Sequence, residues 1–281
     1  MTTAVLGATG GQGSAVVDAL LRRGEAVRAV VRDAGAPRAR ALAARGVEVV
    51  TGDLLDRESL AAAFRGVRAA FAVTTPFERG PAQEVAQGEA IVAAARAAGL
   101  PFLVLASVAS ADRHTGIPHF ESKARIEAVL ADSGLPSAVV APTYFYDNVL
   151  GSAVDIADGV MPLAVPADKP LQQVARADLG EVAATVLTAP GHWTGRRIEV
   201  AGDEPTPAQM AEAIARAARR PVRHLPVPVE QVLAHNPDLG AMFGYLSDTG
   251  YAVDLPALRA EFPGLSWTSY QQWADGVAWP G

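Results

Sequence analysis

Short apolar runs alternate with helically spaced ones along the first half of this chain. Residues 3–6 form an apolar run that ends in a glycine cluster. Ala15, Val16, Ala19 and Leu20 then recur at helical spacing over residues 12–23, and Gly24 supplies a stop. The same rhythm predicts strands at 26–31, 47–50, 69–73, 102–106 and 137–141, with helices at 37–45, 57–64, 82–98 and 119–131 between them. The strands are short and scarcely alternate in polarity, as parallel strands covered on both faces do. Right-handed crossovers then lead to α/β architecture, a doubly wound parallel sheet of Rossmann type. The rhythm loosens after Pro142, where prolines crowd the chain. One strand at 197–200 and one helix at 207–218 stand out, and the rest reads as short helices and loops. The expected organisation is a dinucleotide-binding domain over 1–150 and a smaller, irregular C-terminal substrate lobe over 151–281 that is not independent.

Composition narrows the function classes. Half of the 281 residues are hydrophobic and 19% are charged, enough for a sizeable core and too apolar for global disorder. A formal charge of −6 speaks against unaided nucleic-acid binding, which needs a basic face. There is no cysteine, which removes disulfides, thiolate catalysis and cysteine-ligated metals. No apolar run approaches the ~20 residues of a membrane span. No basic stretch precedes the first apolar run, so no signal peptide is read, and a cytoplasmic protein is expected. The five histidines show no metal-ligand spacing, so no metal is expected. No Gly-x-Ser-x-Gly elbow is present, which argues against a serine hydrolase. Only two of the 24 cations are lysines, Lys123 and Lys169, so clustered arginines carry less weight than a lysine does. Oligomeric state is left open.

The loop Gly7-Ala8-Thr9-Gly10-Gly11-Gln12-Gly13 fits G-x-x-G-x-x-G between a strand and a helix. Glycines there permit a tight turn and close approach of a pyrophosphate, which the helix N-terminus attracts. Gly7, Thr9, Gly10, Gln12 and Gly13 are the expected cofactor contacts. In NAD sites an acidic residue ends the second strand. Here Val31-Arg32-Asp33 stands, and Arg32 can pair with a 2′-phosphate. NADP(H) is therefore expected, with NAD(H) still open because Asp33 follows. The alternative is a solvated Arg-Asp turn.

With Gly7-Ala8-Thr9-Gly10, Gln12-Gly13, Val31-Arg32-Asp33, residues 46–53 (GVEVVTGD) and residues 63–67 (AFRGV), the chain resembles the NmrA-like group of atypical short-chain dehydrogenases. The resemblance runs to about Val229 and takes in Thr188 to Pro190 and the turn Gly202-Asp203-Glu204-Pro205; the last ~50 residues match nothing. It implies that Asp53 and Leu54 flank the adenine and that Thr74, Thr75 and Pro76 line the nicotinamide side. Ordinary short-chain dehydrogenases use a Ser and a Tyr-x-x-x-Lys. Here Ser107 closes the fifth strand, Lys123 keeps the lysine position and His119 replaces the tyrosine. His119 and Lys123 are i, i+4 on one helical face, and histidine transfers protons near neutral pH. The stretch from Pro142 through Tyr144, Phe145 and Tyr146 resembles the segment that borders the nicotinamide. Tyr144 or Tyr146 is the alternative donor, unless the aromatics only seat the lobe.

Two functions follow. One is a reductase passing hydride from NADPH to a small carbonyl, quinone or imine-type acceptor. The other is a non-catalytic NADPH/NADP sensor that regulates a protein partner. The group contains both. Retained Ser107 and Lys123 favour the first, and the missing tyrosine the second.

Overall fold

The computed structural model describes residues 2–280. Strand β1 (Thr2–Leu6) leads through helix α1 (Gly11–Arg22), β2 (Ala26–Val31), α2 (Pro37–Ala44), β3 (Glu48–Thr51) and α3 (Arg57–Phe64). Next come β4 (Ala69–Val73), α4 (Pro81–Ala97), β5 (Leu103–Ala106), α5 (Pro118–Asp132) and β6 (Ser137–Pro142). The second half holds β7 (Tyr144–Phe145), α6 (Ala153–Ala157), β8 (Val160–Leu163), β9 (Gln173–Val174), α7 (Arg176–Thr188), α8 (Pro190–Trp193) and β10 (Arg197–Val200). It ends with α9 (Pro207–Ala218), β11 (Arg223–Pro226), α10 (Val229–His235), α11 (Pro237–Asp248), α12 (Leu255–Glu261) and α13 (Tyr270–Asp275).

Seven strands form one sheet in the order β10-β6-β5-β4-β1-β2-β3. The pairings among β1 to β6 are parallel. Chain direction reverses across the sheet between β1 and β4, and ligands of open α/β sheets sit at the C-terminal ends of strands at that point. The expected doubly wound fold is the one found. One face packs Ala4, Leu6, Leu103 and Leu105 against Leu60 and Phe64 of α3, Ile91 of α4, and Ile126 and Leu130 of α5. Val5, on the opposite face by strand alternation, is equally buried, so both faces are covered. A Cβ on Gly88 of α4 would stand 2.5 Å from the Ile126 side chain of α5. Glycine is what lets these two helices close up, and the site below depends on that approach.

The chain divides into two compact units. The first holds residues through Asp112, Pro118–Ala141 and Leu179–Ile198; the second holds Arg113–Ile117, Pro142–Asp178 and the described chain from Glu199 on. Helix α7 lies where only short helices and loops are expected. Leu179, Val182, Ala183, Ala184, Val186 and Leu187 are all buried, so the polar contrast that marks a surface helix is faint. Within the second unit, β11 pairs with β8 and β7 with β9, both parallel. Two carboxylates pin its C-terminal stretch. Asp178 accepts from Thr268 N and Thr268 Oγ1, each at 2.8 Å, and Asp203 accepts from Tyr270 N at 2.8 Å.

Candidate cofactor and acceptor site

The β1–α1 loop is built by contact. Gly7 has φ +64°, and a Cβ there would meet the Val73 side chain at 2.7 Å. A Cβ on Gly13 would stand 2.2 Å from Gly7 O, closer than any side chain allows. Gly10 N donates to Gly7 O at 2.9 Å, and no side chain caps α1 at Gly10. The first-turn N–H groups therefore have no side-chain acceptor and, by helix geometry, no intrahelical one. Gln12 Oε1 is buried and has no hydrogen-bond partner. A backbone cradle and a helix N-terminus without acidic residues together fit a dinucleotide pyrophosphate.

The β2–α2 corner is cationic. Arg32 is 75% exposed and its Nη1 lies 3.1 Å from Glu78 Oε2. Arg38, which the sequence reading passed over, donates to Thr9 O at 3.1 Å. It sits in the first turn of α2, and only the fold brings it back over the glycine loop. The Asp33 carboxylate accepts Gly35 N at 2.7 Å, so it braces its own turn. Asp53 does the same, accepting Leu55 N at 2.9 Å; it is exposed, and Leu54 beside it is half-buried.

A buried polar network lies at the ends of β4 and β5. Lys123 Nζ is 2.9 Å from Glu84 Oε1, and it donates to Thr74 Oγ1 at 2.9 Å and Thr74 O at 3.1 Å. Thr74 Oγ1 in turn donates to Glu84 at 3.0 Å. Thr75 N donates to Gln87 Oε1 at 3.1 Å, and Pro76 is buried, its carbonyl accepting Gly80 N at 2.7 Å. Ser107 Oγ donates to Glu127, whose other oxygen takes Arg197 Nε at 2.9 Å. His119 is buried, its ring centroid 5.8 Å from Phe77 and 4.8 Å from Phe120. Lys123 and Thr74 are thus brought together, whereas Ser107 is drawn to Glu127. Glu84, Gln87 and Glu127 escaped the sequence reading; Glu84 and Gln87 share one face of α4 at i, i+3 spacing, the one signal that marks them.

Residues 1–267 match the NmrA-like family. The chain belongs to it. The family match continues past Val229, where the resemblance read from motifs stops, and takes in α10 to α12. An NAD(P)H azoreductase of Xenophilus azovorans is 32% identical over 81% of this chain and 77% of its own length. Quinone oxidoreductase 2 of Escherichia coli is 29% identical over 79% of this chain and 76% of its own. An NADPH-dependent quinone oxidoreductase of E. coli, solved in complex with NADPH, superposes with TM-score 0.82 and 26% identity, covering 98% of this chain and 99% of that one.

The remaining residues that the NmrA-like resemblance points to lie in the second unit. Pro142 is buried, and Arg176 of α7 places its guanidinium 5.8 Å from the centre of the Phe145 ring. Tyr144 is half-buried, with Phe243 at 6.2 Å; burial pushes its phenol up to about 12, against a lowering hydrogen bond from Asn148. It stays neutral at ordinary pH. Tyr146 is different. It is fully buried, its hydroxyl donates to Thr268 O at 2.9 Å, and it packs on Tyr270 and Trp273. Burial and the nearby Asp203 and Asp178 carboxylates raise its pKa well above the usual phenol range. Of the two tyrosines, Tyr146 has the committed hydroxyl. Among the described residues no group of three or more His, Asp or Glu is placed to hold a metal, and no helix is long and apolar enough to cross a membrane.

Proposed function

We propose that this chain is an NADPH-dependent oxidoreductase that reduces quinone-type small molecules. The observation that carries the cofactor part is the β1–α1 cradle with Arg32 and Arg38 beside it, while Asp33 is spent on its own turn. Gly7 and Gly13 let the loop turn tightly and α1 close on it, which presents the helix N-terminus to a pyrophosphate. Arg32 and Arg38 meet a 2′-phosphate with charge-assisted hydrogen bonds. NADPH, when bound, supplies the hydride. What the chain adds is orientation, exclusion of water and a proton. Lys123 fixes a positive charge beside Thr74, and His119 is the first candidate to hold a proton for the acceptor. Support for the acceptor class comes from the relatives, whose names include an azoreductase and quinone oxidoreductases.

Steady-state NADPH oxidation with quinones, azo dyes, aldehydes and imines tests this. Turnover is expected with quinones first. Calorimetry should show NADPH binding more tightly than NADH, and Arg32→Ala combined with Arg38→Ala should remove roughly one to two decades of that preference. Equal affinity for the two cofactors in the wild type refutes the assignment of the arginines.

The engagement of Ser107 with Glu127 favours a second reading, in which the chain binds NADPH and reports its redox state to a protein partner. Firm NADPH binding without turnover on any acceptor selects that reading. Pull-downs with NADPH and with NADP then identify the partner.

A further inference from the structure

We propose that Glu84 is a positioning residue of the cofactor site, acting through Lys123 and Thr74. The inference rests on the reading of this chain as an NADP(H) binder. Glu84 sits in the first turn of α4 and is 0% exposed. Its carboxylate accepts from three side chains on two other elements: Lys123 Nζ at 2.9 Å, Thr74 Oγ1 at 3.0 Å and Ser122 Oγ at 2.5 Å. The lysine, 8% exposed, lies among Glu84, Thr74 Oγ1 and Thr74 O, with Ala106 O farther off at 3.5 Å. Thr74 is held twice, donating to the carboxylate and accepting from the ammonium. One turn later on the same face, Gln87 accepts Thr75 N. Helix α4 thus grips the two residues that leave β4, at the end of the sheet where cofactors of open α/β proteins lie.

Stability alone does not call for this pair. A buried ion pair is commonly matched or bettered by apolar side chains of the same volume, because desolvation offsets the attraction. What an apolar pair lacks is direction. Glu84 holds the Lys123 ammonium in one place and fixes the Thr74 hydroxyl that donates to it. Without it the Lys123 side chain loses its strongest tether, and Thr74 loses its acceptor.

The test separates the two halves of the cofactor. NADPH and 2′,5′-ADP, which carries the adenine half alone, are titrated by calorimetry against wild type, Glu84→Gln, Lys123→Gln and the double variant, with thermal unfolding alongside. Glu84→Gln is expected to weaken NADPH about tenfold, the scale of one charged hydrogen bond, and to leave 2′,5′-ADP unchanged. The double variant should lose no more than Lys123→Gln, since one residue works through the other. Restoring a carboxylate with Glu84→Asp should recover part of the NADPH affinity. Losses that multiply in the double variant, equal losses for NADPH and 2′,5′-ADP, or no loss at all overturn the proposal. Should Glu84→Gln not fold, Ser122→Ala, which removes one anchor of the carboxylate, must give a smaller loss confined to NADPH; an unchanged NADPH affinity then rejects the proposal. A wild type that binds neither ligand refutes the cofactor reading itself.

Discussion

Gly13 is the position where a single atom decides most. Its missing Cβ is what allows α1 to close on the carbonyl of Gly7. Gly13→Ala should cost roughly 1–3 kcal/mol by overpacking and should also lower NADPH affinity, read by thermal unfolding and calorimetry on the same sample. Stability lost with affinity intact would make the loop a turn and nothing more. Phe77 poses the opposite question, because it is 73% exposed with its ring against His119. Such an apolar face suits a planar aromatic acceptor. Phe77→Ala is expected to raise KM for quinones while NADPH affinity stays put. His119→Ala should reduce turnover of carbonyl or imine acceptors by about 10²–10⁴, the usual worth of a general acid. With quinones the loss should be smaller, since hydride transfer to them asks less of a protein acid. The glycines, Arg32, His119 and Lys123 are legible as candidates because each stands at a fixed offset from a strand end or within one helical turn. Glu84, Glu127 and Arg38 are not, because their partners stand far along the chain: 38 residues for Glu84 with Ser122, 20 for Glu127 with Ser107 and 29 for Arg38 with Thr9.

Among the elements, α7 shows how local pattern is overridden. Its buried residues surround it, so its helical period is poorly contrasted, and from Leu179 on it belongs to the first unit although it lies far along the chain. Glu181 on α7 ties it to α1, accepting from Arg22 at 2.7 Å and Arg23 at 2.8 Å. Burial raises the Glu181 pKa, but the two guanidinium groups outweigh it and leave the carboxyl below its ordinary range. A lowered folded-state pKa contributes stability above the unfolded value, and that contribution disappears as pH falls through the folded one. Glu181→Gln should therefore lower Tm at pH 7, and the gap to wild type should close as the solution is taken below about pH 4. A gap that persists in acid would mean that packing, not charge, joins the two helices. Arg22 and Arg23 thus serve this helix contact.

At the scale of the molecule, the second unit depends on its C-terminal stretch. Tyr146 is buried against Tyr270 and Trp273, and Asp178 and Asp203 hold Thr268 and Tyr270 by their backbone. Truncation after Trp267 removes α13 and the Thr268 and Tyr270 groups that Asp178, Asp203 and the Tyr146 hydroxyl bond. The truncated protein should unfold at lower temperature and bind a dye for exposed apolar surface; a chain that melts like the full one shows the stretch to be dispensable. The tryptophans at 267, 273 and 279 recur at a spacing that suggests packing, and the Trp273–Trp279 edge contact, centroids 5.9 Å apart, is of that kind.

The sequence by itself determined the doubly wound sheet, the glycine cradle and the family, because these rest on constraints local to one βα unit: the period of the apolar residues and the absence of side chains at a turn. Only the tertiary structure decided which carboxylate meets which cation. Lys123 meets Glu84, and Arg197 meets Glu127. Such pairings follow from helices crossing at close range, as α4 and α5 do over Gly88, and no spacing along the chain encodes the crossing.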